Sequence, residues 1–223
     1  MLVIFDLDDT LVDTSGSIVP GLLKKALYKM EKMGLPIVNF EETYKLMNRL
    51  SNNHLTTKAA LKEFVELTGA PPECYEMGLN EIYNPPLFED PISPVDSAKE
   101  VLEELALSHQ LVLVTAGKES IQLEKMKKAG IEVSFFSKLY FCDGNKKNIY
   151  NTLVKETGIS PLNIIVCGDR ISFDLTPAKE LGFKTVHMRW GRGLGNTGLK
   201  KDVDYTILNL NELKQILNNL NNV

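Results

Sequence analysis

The pattern of hydrophobic positions divides the chain into two kinds of region. Over most of its length, short apolar runs alternate with stretches whose apolar residues recur at helical spacing. The runs cover Leu2–Phe5 and residues 111–114, 139–141, 164–167, 185–188 and 205–208. Each run is short and continuous, which is typical of a parallel strand buried on both faces. The alternation predicts an α/β fold: a Rossmann-like, mostly parallel sheet with helices on both faces.

Two helices are marked by their ends as well as by their spacing. Apolar residues over 149–154 predict a helix that ends at Gly158, a favoured C-cap residue. A last helix over 213–217 is predicted to be capped by Asn209 or Asn211.

The segment 15–90 breaks the strand and helix rhythm. Its apolar residues follow helical spacing over 22–30 and 61–65, and it contains no convincing strand, while proline pairs interrupt it at 71–72 and 85–86. We therefore predict a small all-helical domain over 15–90, inserted into an α/β core that comprises 1–14 and 91–223.

Composition and charge exclude several kinds of partner. The chain of 223 residues is 43% hydrophobic and 24% charged, with a net charge of −4 and scattered lysines. A nucleic-acid or anionic-membrane partner usually needs a clustered basic face, so neither is expected. No apolar run approaches the roughly 20 residues of a membrane span, and no basic segment precedes the N-terminal run as in a signal peptide.

The number and spacing of the cysteines indicate the redox state of the protein's compartment. Three widely spaced cysteines, with no CxxC pair, argue against a disulfide framework or a zinc site and favour a reducing cytoplasm. The sequence indicates no oligomeric state.

The strongest chemical signal is a pair of aspartates directly after the first predicted strand. Asp6 and Asp8 stand two residues apart in Asp6-Leu7-Asp8-Asp9-Thr10, so both can face one site at the strand's carboxyl end, where ligands bind in α/β sheets. Two close carboxylates need a cation between them or a proton on one of them. A phosphoryl-transfer site can use both arrangements. The alternative is an acidic turn in which Asp9 or Asp13 caps a helix.

A second acidic loop follows the run 164–167. Gly168-Asp169-Arg170-Ile171-Ser172-Phe173-Asp174 offers oxygen ligands of the kind Mg²⁺ prefers. The alternative is a Gly-Asp turn in which Asp169 or Asp174 caps the following helix.

Two further positions suit a phosphate group. Thr115-Ala116-Gly117 follows a strand and offers a hydroxyl and backbone N–H groups. A lysine at the start of the helix before Gly158, either Lys146 or Lys147, can offset charge on a transferring group. Alone, each has a plain alternative: a helix N-cap for the threonine and a surface lysine for the cation.

Taken in order along the chain, the four signals resemble the motifs of the haloacid dehalogenase-like hydrolase superfamily. DLDDT, TAG, KKNIY and GDRISFD span the whole chain, and the helical insert between the first two looks like the family's helical cap. Family members often carry Lys-Pro-x-x-Phe/Tyr. Lys146 therefore fits better than Lys147, because it stands four residues before Tyr150, although Lys147 replaces the usual proline.

The resemblance implies a mechanism. Asp6 would attack phosphorus and form an aspartyl-phosphate, while Asp8 would protonate the leaving alcohol and then activate water. The remaining implied roles are phosphate binding by Thr115, the Ala116 backbone and Lys146, and Mg²⁺ binding by an Asp6 oxygen, the Asp8 main-chain carbonyl and Asp169, supported by Asp174.

Two weaker patterns remain. Gly193-Leu194-Gly195-Asn196-Thr197-Gly198 matches a dinucleotide fingerprint, but no strand and helix flank it as that site requires, so we expect a loop. A polar cluster, Arg49 to His54, is predicted to be a solvated loop between helices. Its alternative is a cap surface in which Arg49, Asn53 and His54 contact the substrate.

The family's activities are separated by single residues. Dehalogenases have no alcohol to protonate, so Asp8 disfavours dehalogenation, and no lysine among Lys24, Lys25 and Lys58 is marked as the buried Schiff-base lysine of a phosphonate hydrolase. We therefore predict a phosphatase acting on a small-molecule phosphate ester. A sugar-phosphate mutase and a non-catalytic regulatory module are the alternatives.

Overall fold

The computed structural model describes residues 1–54, 56–85, 88, 90–195 and 198–221. Asn196 and Thr197 of the predicted 193–198 loop, and Pro86 of the second proline pair, lie outside the described residues. The chain folds into two compact units: Met1–Thr14 with Ile92–Val223, here called the core unit, and Ser15–Pro91, here called the helical unit.

The core unit is built on a six-stranded parallel sheet. Its strands are β1 (Leu2–Phe5), β2 (Gln110–Ala116), β3 (Lys138–Cys142), β4 (Ile164–Gly168), β5 (Lys184–Met188) and β6 (Tyr205–Ile207). They lie in the order β3-β2-β1-β4-β5-β6, and every pairing is parallel. This confirms the predicted α/β class with a Rossmann-like sheet. The order reverses direction beside β1, and such a switch point is where open α/β sheets bind ligands.

Both units contain helices. In the core unit the α-helices are α6 (Ala98–Ala106), α7 (Glu119–Ala129), α8 (Lys146–Thr157), α9 (Thr176–Lys179) and α10 (Asn211–Asn221). A short helix α1 (Thr14–Ser17) spans the boundary between the units. In the helical unit they are α2 (Val19–Lys32), α3 (Phe40–Asn53), α4 (Thr57–Thr68) and α5 (Glu73–Tyr83).

The central strands are buried and the edge strands are not. Every residue of β1 and β4 is buried, as the continuous apolar runs predict. The prediction of burial on both faces is wrong for β3, whose residues are partly or fully exposed, and for β6, which has one buried residue of three. Both strands lie at the edges of the sheet and have a neighbour on one side alone.

Successive side chains of a strand point to opposite faces, so each face of the sheet has its own core. On one face, Leu2 and Ile4 of β1 pack with Tyr150 and Leu153 of α8. α8 ends, as predicted, at Gly158, which adopts a left-handed conformation with φ 64°. These contacts fix the start of α8 beside the carboxyl ends of the central strands.

Four helices make up most of the helical unit. Its described residues form no strand, in keeping with the sequence pattern. Leu27 and Met30 of α2 pack with Phe64 of α4 in a separate hydrophobic core. Such a core is what an independent compact unit requires.

The two chain segments that lead into and out of the helical unit are joined within the core unit. The Asp13 N–H donates to the Ser93 carbonyl at 3.0 Å, and the Val95 N–H donates to the Leu11 carbonyl at 2.9 Å. Both ends of the 15–91 insert are therefore held together by backbone hydrogen bonds.

No helix in the described part of the chain has the length and apolar character needed to span a membrane.

Candidate active site

The carboxyl ends of β1, β2 and β4 bring three of the four sequence motifs together. Asp6 follows β1, Thr115 lies near the end of β2, and Asp169 follows β4. The Asp6 N–H donates to the Cys167 carbonyl at 3.0 Å, which continues the β1–β4 ladder by one more bond. The aspartates therefore leave the sheet side by side at the switch point.

Lys146 connects the fourth motif to this edge. Its Nζ, at the first residue of α8, donates to Asp6 Oδ1 at 2.5 Å and to Asp174 Oδ1 at 2.6 Å. The Lys146 side chain is only 2% exposed. Burial lowers the pKa of Lys146, but the carboxylates of Asp174 and Asp6 outweigh burial and raise it well above its usual range, so the group is an ammonium.

Lys147 has a different environment. Its Nζ pairs with Glu180 at 2.7 Å, and both side chains are about half exposed, at 47% and 52%. Of the two lysines considered from the sequence, the structure therefore brings Lys146 to Asp6.

Three buried carboxylates converge beside Lys146. One oxygen from each of Asp6, Asp169 and Asp174 lies within 4.8 Å of the others. Burial raises the pKa of Asp6, with Asp174 and Asp8 adding to the effect and Lys146 opposing it. Burial also raises the pKa of Asp169, reinforced by Asp174 and Asp6. The protein alone therefore leaves this cluster short of positive charge.

The donor set of this cluster fits a hard divalent cation. Carboxylate oxygens are the ligands that Mg²⁺ prefers, and a cation would relieve the repulsion among the three groups. Asp174 has its two oxygens engaged: Lys146 contacts Oδ1, and the Arg170 N–H donates to Oδ2 at 2.9 Å. These contacts suit Asp174 to a supporting position. Direct binding of the ion by Asp6 and Asp169 stays a prediction.

Asp8 lies in a separate polar pocket of the same edge. Its Oδ1 accepts from Lys125 Nζ at 2.7 Å and from Thr14 Oγ1 at 2.5 Å, and its Oδ2 accepts from Gln122 Nε2 at 3.0 Å. Burial raises the pKa of Asp8, but the charge and hydrogen bond of Lys125, with the hydrogen bonds of Thr14 and Gln122, lower it far below its usual range. Asp8 is therefore a carboxylate here. A metal contact through its main-chain carbonyl stays a prediction.

Thr115 and Ala116 lie against the same pocket. Thr115 is fully buried, and its Oγ1 accepts a hydrogen bond from Gln122 Nε2 at 2.7 Å. A hydroxyl that accepts from the amide keeps its own proton to donate, as binding of a phosphate oxygen requires. The Gly117 N–H is already used, since it donates to the Cys142 carbonyl at 2.9 Å.

His187 supports the loop after β4. The side chain is buried, as its place in an apolar strand suggests, and its Nε2 lies 2.9 Å from the Asp169 carbonyl. A carbonyl only accepts, so Nε2 carries the proton. Burial lowers the pKa of His187, which keeps the ring neutral. The ring therefore holds the backbone of Asp169 in place.

Asp9 and Asp13, the residues considered as helix caps in the alternative for the DLDDT motif, also contact the loop after β5. Asp9 has φ 56°, a left-handed conformation that aspartate tolerates better than most residues, and its Oδ2 accepts from the Arg192 N–H. Asp13 Oδ1 accepts from Trp190 Nε1 at 2.9 Å. Both carboxylates thus tie the loop after β1 to the loop after β5.

The polar cluster of the helical unit is not the loop that we predicted. Residues 49–53 belong to α3, and His54 is the residue that follows it. Arg49 and Asn53 are exposed, whereas His54 Nε2 pairs with Glu63 at 2.5 Å. The helix continues through these weak helix formers because Met47, Leu50 and Ser51 on its other side are buried. Substrate contacts of Arg49, Asn53 and His54 stay a prediction.

Sequence reasoning missed Gln122 and Lys125. The residues of α7 that are buried are Gln122, Lys125, Met126 and Ala129, which follow the i, i+3, i+4, i+7 spacing of a core-facing helix side. A glutamine and a lysine within that apolar stripe are the signal that could have identified them. The lysine looks like its neighbours Lys127 and Lys128 when it is considered without this register.

Known proteins share both the sequence pattern and the fold. The chain is 29% identical over 230 residues to a glyceraldehyde 3-phosphate phosphatase of Methanocaldococcus jannaschii, covering 98% of this chain and 97% of the relative. A structure of a predicted phosphoglycolate phosphatase from Haemophilus somnus superposes with a TM-score of 0.71 at 18% identity, covering 97% of each chain. The HAD-hydrolase YfnB of Bacillus subtilis, solved bound to magnesium, superposes with a TM-score of 0.65 at 18% identity, covering 97% of this chain and 98% of that one.

The family assignment rests on most of the chain. The model of the haloacid dehalogenase-like hydrolases matches residues 3–188, which include all four motifs and the β1, β2 and β4 edge where Asp6, Thr115 and Asp169 lie. Motif order, sheet order and family model agree, and the chain belongs to the haloacid dehalogenase-like hydrolases.

Proposed function

We propose that this protein is a Mg²⁺-dependent phosphatase that hydrolyses a small phosphate monoester through an aspartyl-phosphate on Asp6. The observation that carries the proposal is the separation of two carboxylates at one strand end. Asp6 contacts Lys146 and lies in the Asp169 and Asp174 cluster, whereas Asp8 lies in its own pocket with Lys125 and Gln122. Two acids in two environments suit two roles, nucleophile and acid/base.

In the first step an Asp6 oxygen attacks phosphorus. The new bond joins Asp6 to the phosphoryl group, and the bond from phosphorus to the alcohol oxygen breaks. Asp8 is ionised in the structure, so it first takes up a proton from water, and it then gives this proton to the departing oxygen, so that an alcohol leaves. Lys146 offsets negative charge on the phosphoryl oxygens, and the Thr115 hydroxyl donates to one of them.

In the second step Asp8, now a carboxylate, takes a proton from water. The water oxygen bonds to phosphorus as the bond to Asp6 breaks, which regenerates both aspartates and releases inorganic phosphate. Asp6 and Asp169 would hold Mg²⁺, and the ion would supply the charge neutralisation that an anionic carboxylate needs to approach an anionic ester. Lys125 lowers the pKa of Asp8 and so favours its ionised form, the form that accepts a proton in this second step.

The substrate class is supported by the relatives. Similarity over nearly the whole length to a glyceraldehyde 3-phosphate phosphatase makes a phosphorylated three-carbon sugar the first substrate to test. We further propose that the helical unit is a cap, which its position in the chain after the first motif supports. The free cysteines Cys74, Cys142 and Cys167 support the cytoplasm as its compartment.

The proposal is tested by Asp6→Asn, which keeps the size of the side chain and removes the nucleophilic carboxylate. Wild type is assayed with Mg²⁺ against p-nitrophenyl phosphate and a panel of sugar phosphates that includes glyceraldehyde 3-phosphate. We expect release of phosphate by wild type and none by Asp6→Asn.

Asp96→Asn is the matched control, because Asp96 is an exposed carboxylate of the same unit. It should retain wild-type activity. Activity that survives Asp6→Asn would exclude Asp6 as nucleophile, and a wild type inert across the panel would favour the regulatory alternative.

A further inference from the structure

α7 presents two polar side chains to Asp8 from one side of the helix. Gln122 and Lys125 are three residues apart, a spacing that places them on the same helix face. Gln122 is 1% exposed and Lys125 is 9% exposed, so both are buried in the core unit. Burying a lysine is costly unless its ammonium is paired, and Asp8 is the partner.

The two side chains hold different oxygens of Asp8. Lys125 Nζ contacts Oδ1 at 2.7 Å, and Gln122 Nε2 contacts Oδ2 at 3.0 Å. A carboxylate fixed at one oxygen can still rotate about that contact. Contacts at both oxygens fix the orientation of its plane.

Gln122 also connects Asp8 to the second motif. The same Nε2 lies 2.7 Å from Thr115 Oγ1 and 3.1 Å from the Ala116 carbonyl. Gly117 passes so close that a Cβ built there would lie 3.3 Å from Gln122 Cδ. The absence of a side chain at Gly117 thus makes room for the amide between the two motifs.

From this geometry we infer that Gln122 and Lys125 are positioning residues, which hold the Asp8 carboxylate in its working orientation relative to the Thr115 hydroxyl. The inference rests on the proposed function, because it assigns Asp8 the acid/base role. It favours Oδ2 as the oxygen that exchanges the proton, since Oδ1 accepts from both Lys125 and Thr14 whereas the contact at Oδ2 is with Gln122.

The first test compares steady-state kinetics of Gln122→Leu and Lys125→Met with wild type. General acid–base catalysis contributes about 10²–10⁴ to the rate, and loss of orientation should remove part of it. We expect kcat to fall by about ten- to a hundredfold, with KM changed by about twofold or less, since neither residue is assigned to substrate binding. Lys125→Arg should recover most of the kcat lost in Lys125→Met.

Lys127→Met is the control, because it removes the same charge from an exposed position of the same helix. It should behave as wild type. The inference would be overturned if Gln122→Leu and Lys125→Met lowered kcat no more than Lys127→Met does, or if they raised KM alone.

A double-mutant cycle separates positioning of Asp8 from general damage. Activity can be measured in an Asp8→Ala background with p-nitrophenyl phosphate, because its leaving group needs little protonation. Gln122→Leu should cause no further loss there, because a residue that acts through Asp8 has nothing left to orient. A further tenfold loss in this background would contradict the inference.

Crystal structures of Gln122→Leu and Lys125→Met keep the inference testable even if wild type proves inert on every phosphate ester, an outcome that would refute the proposed function instead. The Asp8 carboxylate should rotate away from Thr115 or occupy more than one orientation. An Asp8 side chain that superposes on wild type in both variants would overturn the inference.

Discussion

Lys146 is a buried residue whose removal should strongly destabilise the core unit. Lys146→Met keeps most of the side-chain length and deletes the ammonium that contacts both Asp6 and Asp174. All three groups are buried, at 2%, 7% and 1% exposure. The substitution therefore leaves two carboxylates in the interior without their shared cation.

The expected loss of stability follows from this burial. Removing one partner of a buried ion pair costs about 3–5 kcal/mol, because the remaining charge is left uncompensated. Lys147→Met is a matched control one residue away. Its pair with Glu180 is half exposed, so its removal should cost about 0–1 kcal/mol.

Urea unfolding in EDTA, followed by tryptophan fluorescence, measures both changes. The chain has a single tryptophan, Trp190, and it belongs to the core unit, so the signal reports unfolding of that unit. With an m-value of about 2 kcal/mol/M, the Lys146→Met midpoint should fall by about 1.5–2.5 M. Lys147→Met should shift it by about 0.5 M or less.

Equal midpoints for the two variants would refute the reasoning. They would mean that the buried carboxylates do not depend on Lys146 for compensation. Excess Mg²⁺ should narrow the gap between Lys146→Met and wild type, because a bound cation replaces part of the missing positive charge.

Three further predictions concern the metal, the backbone and the helical unit. EDTA should abolish phosphatase activity, and added Mg²⁺ but not Na⁺ should restore it in a p-nitrophenyl phosphate assay. Gly191→Ala should destabilise the core unit by more than Gly158→Ala does. Both glycines have positive φ, but a Cβ at Gly191 would lie 2.3 Å from Asp9 Cγ, whereas nothing lies within 4 Å at Gly158. The Gly158 change should therefore cost only the strain of a left-handed residue, about 1–2 kcal/mol. Equal urea midpoints for the two variants would contradict the clash at Gly191. Phe64→Ala in α4 should cost about 3–5 kcal/mol, since the side chain is fully buried. Leu67→Ala on the same helix, where Leu67 is 60% exposed, should cost much less, and circular dichroism melts with equal midpoints would refute that difference.

The fold could be predicted from the sequence because the strand signal is strong in a parallel sheet. Runs such as 164–167 are continuous and apolar because their strands are covered on both faces. The edge position of β3 could not be predicted in the same way. Its apolar Leu139 and Phe141 resemble those of a central strand, and exposure there depends on strand order, which the run itself does not encode.

Site residues that belong to a sequence motif could be predicted, whereas residues that only folding brings to the site could not. Asp6 and Asp169 stand at recognisable strand ends, so their convergence followed from the topology of a parallel sheet. Gln122 and Lys125 reach Asp8 across 114 and 117 positions of sequence. No local pattern predicts such a contact, although two polar residues within the apolar stripe of α7 indicate that something must satisfy them.

The Arg49–His54 segment shows the opposite error. Serine and asparagines at 51–53 favour turns by local preference, and that preference predicts a loop. Burial of Met47 and Leu50 on the opposite side of α3 outweighs that preference.

The backbone bonds between the two segments that flank the insert have a consequence for how such enzymes can diversify. Asp13 with Ser93 and Val95 with Leu11 close the core unit at the point where the insert departs and returns. The core unit therefore presents two adjacent chain ends, and each doubling in the length of a segment joined to them costs only about 0.6 kcal/mol in closure entropy. The 15–91 segment can therefore be replaced without rebuilding the core unit. A chimaera that carries another helical insert between Thr14 and Ile92 should keep the β1 edge and its aspartates unchanged.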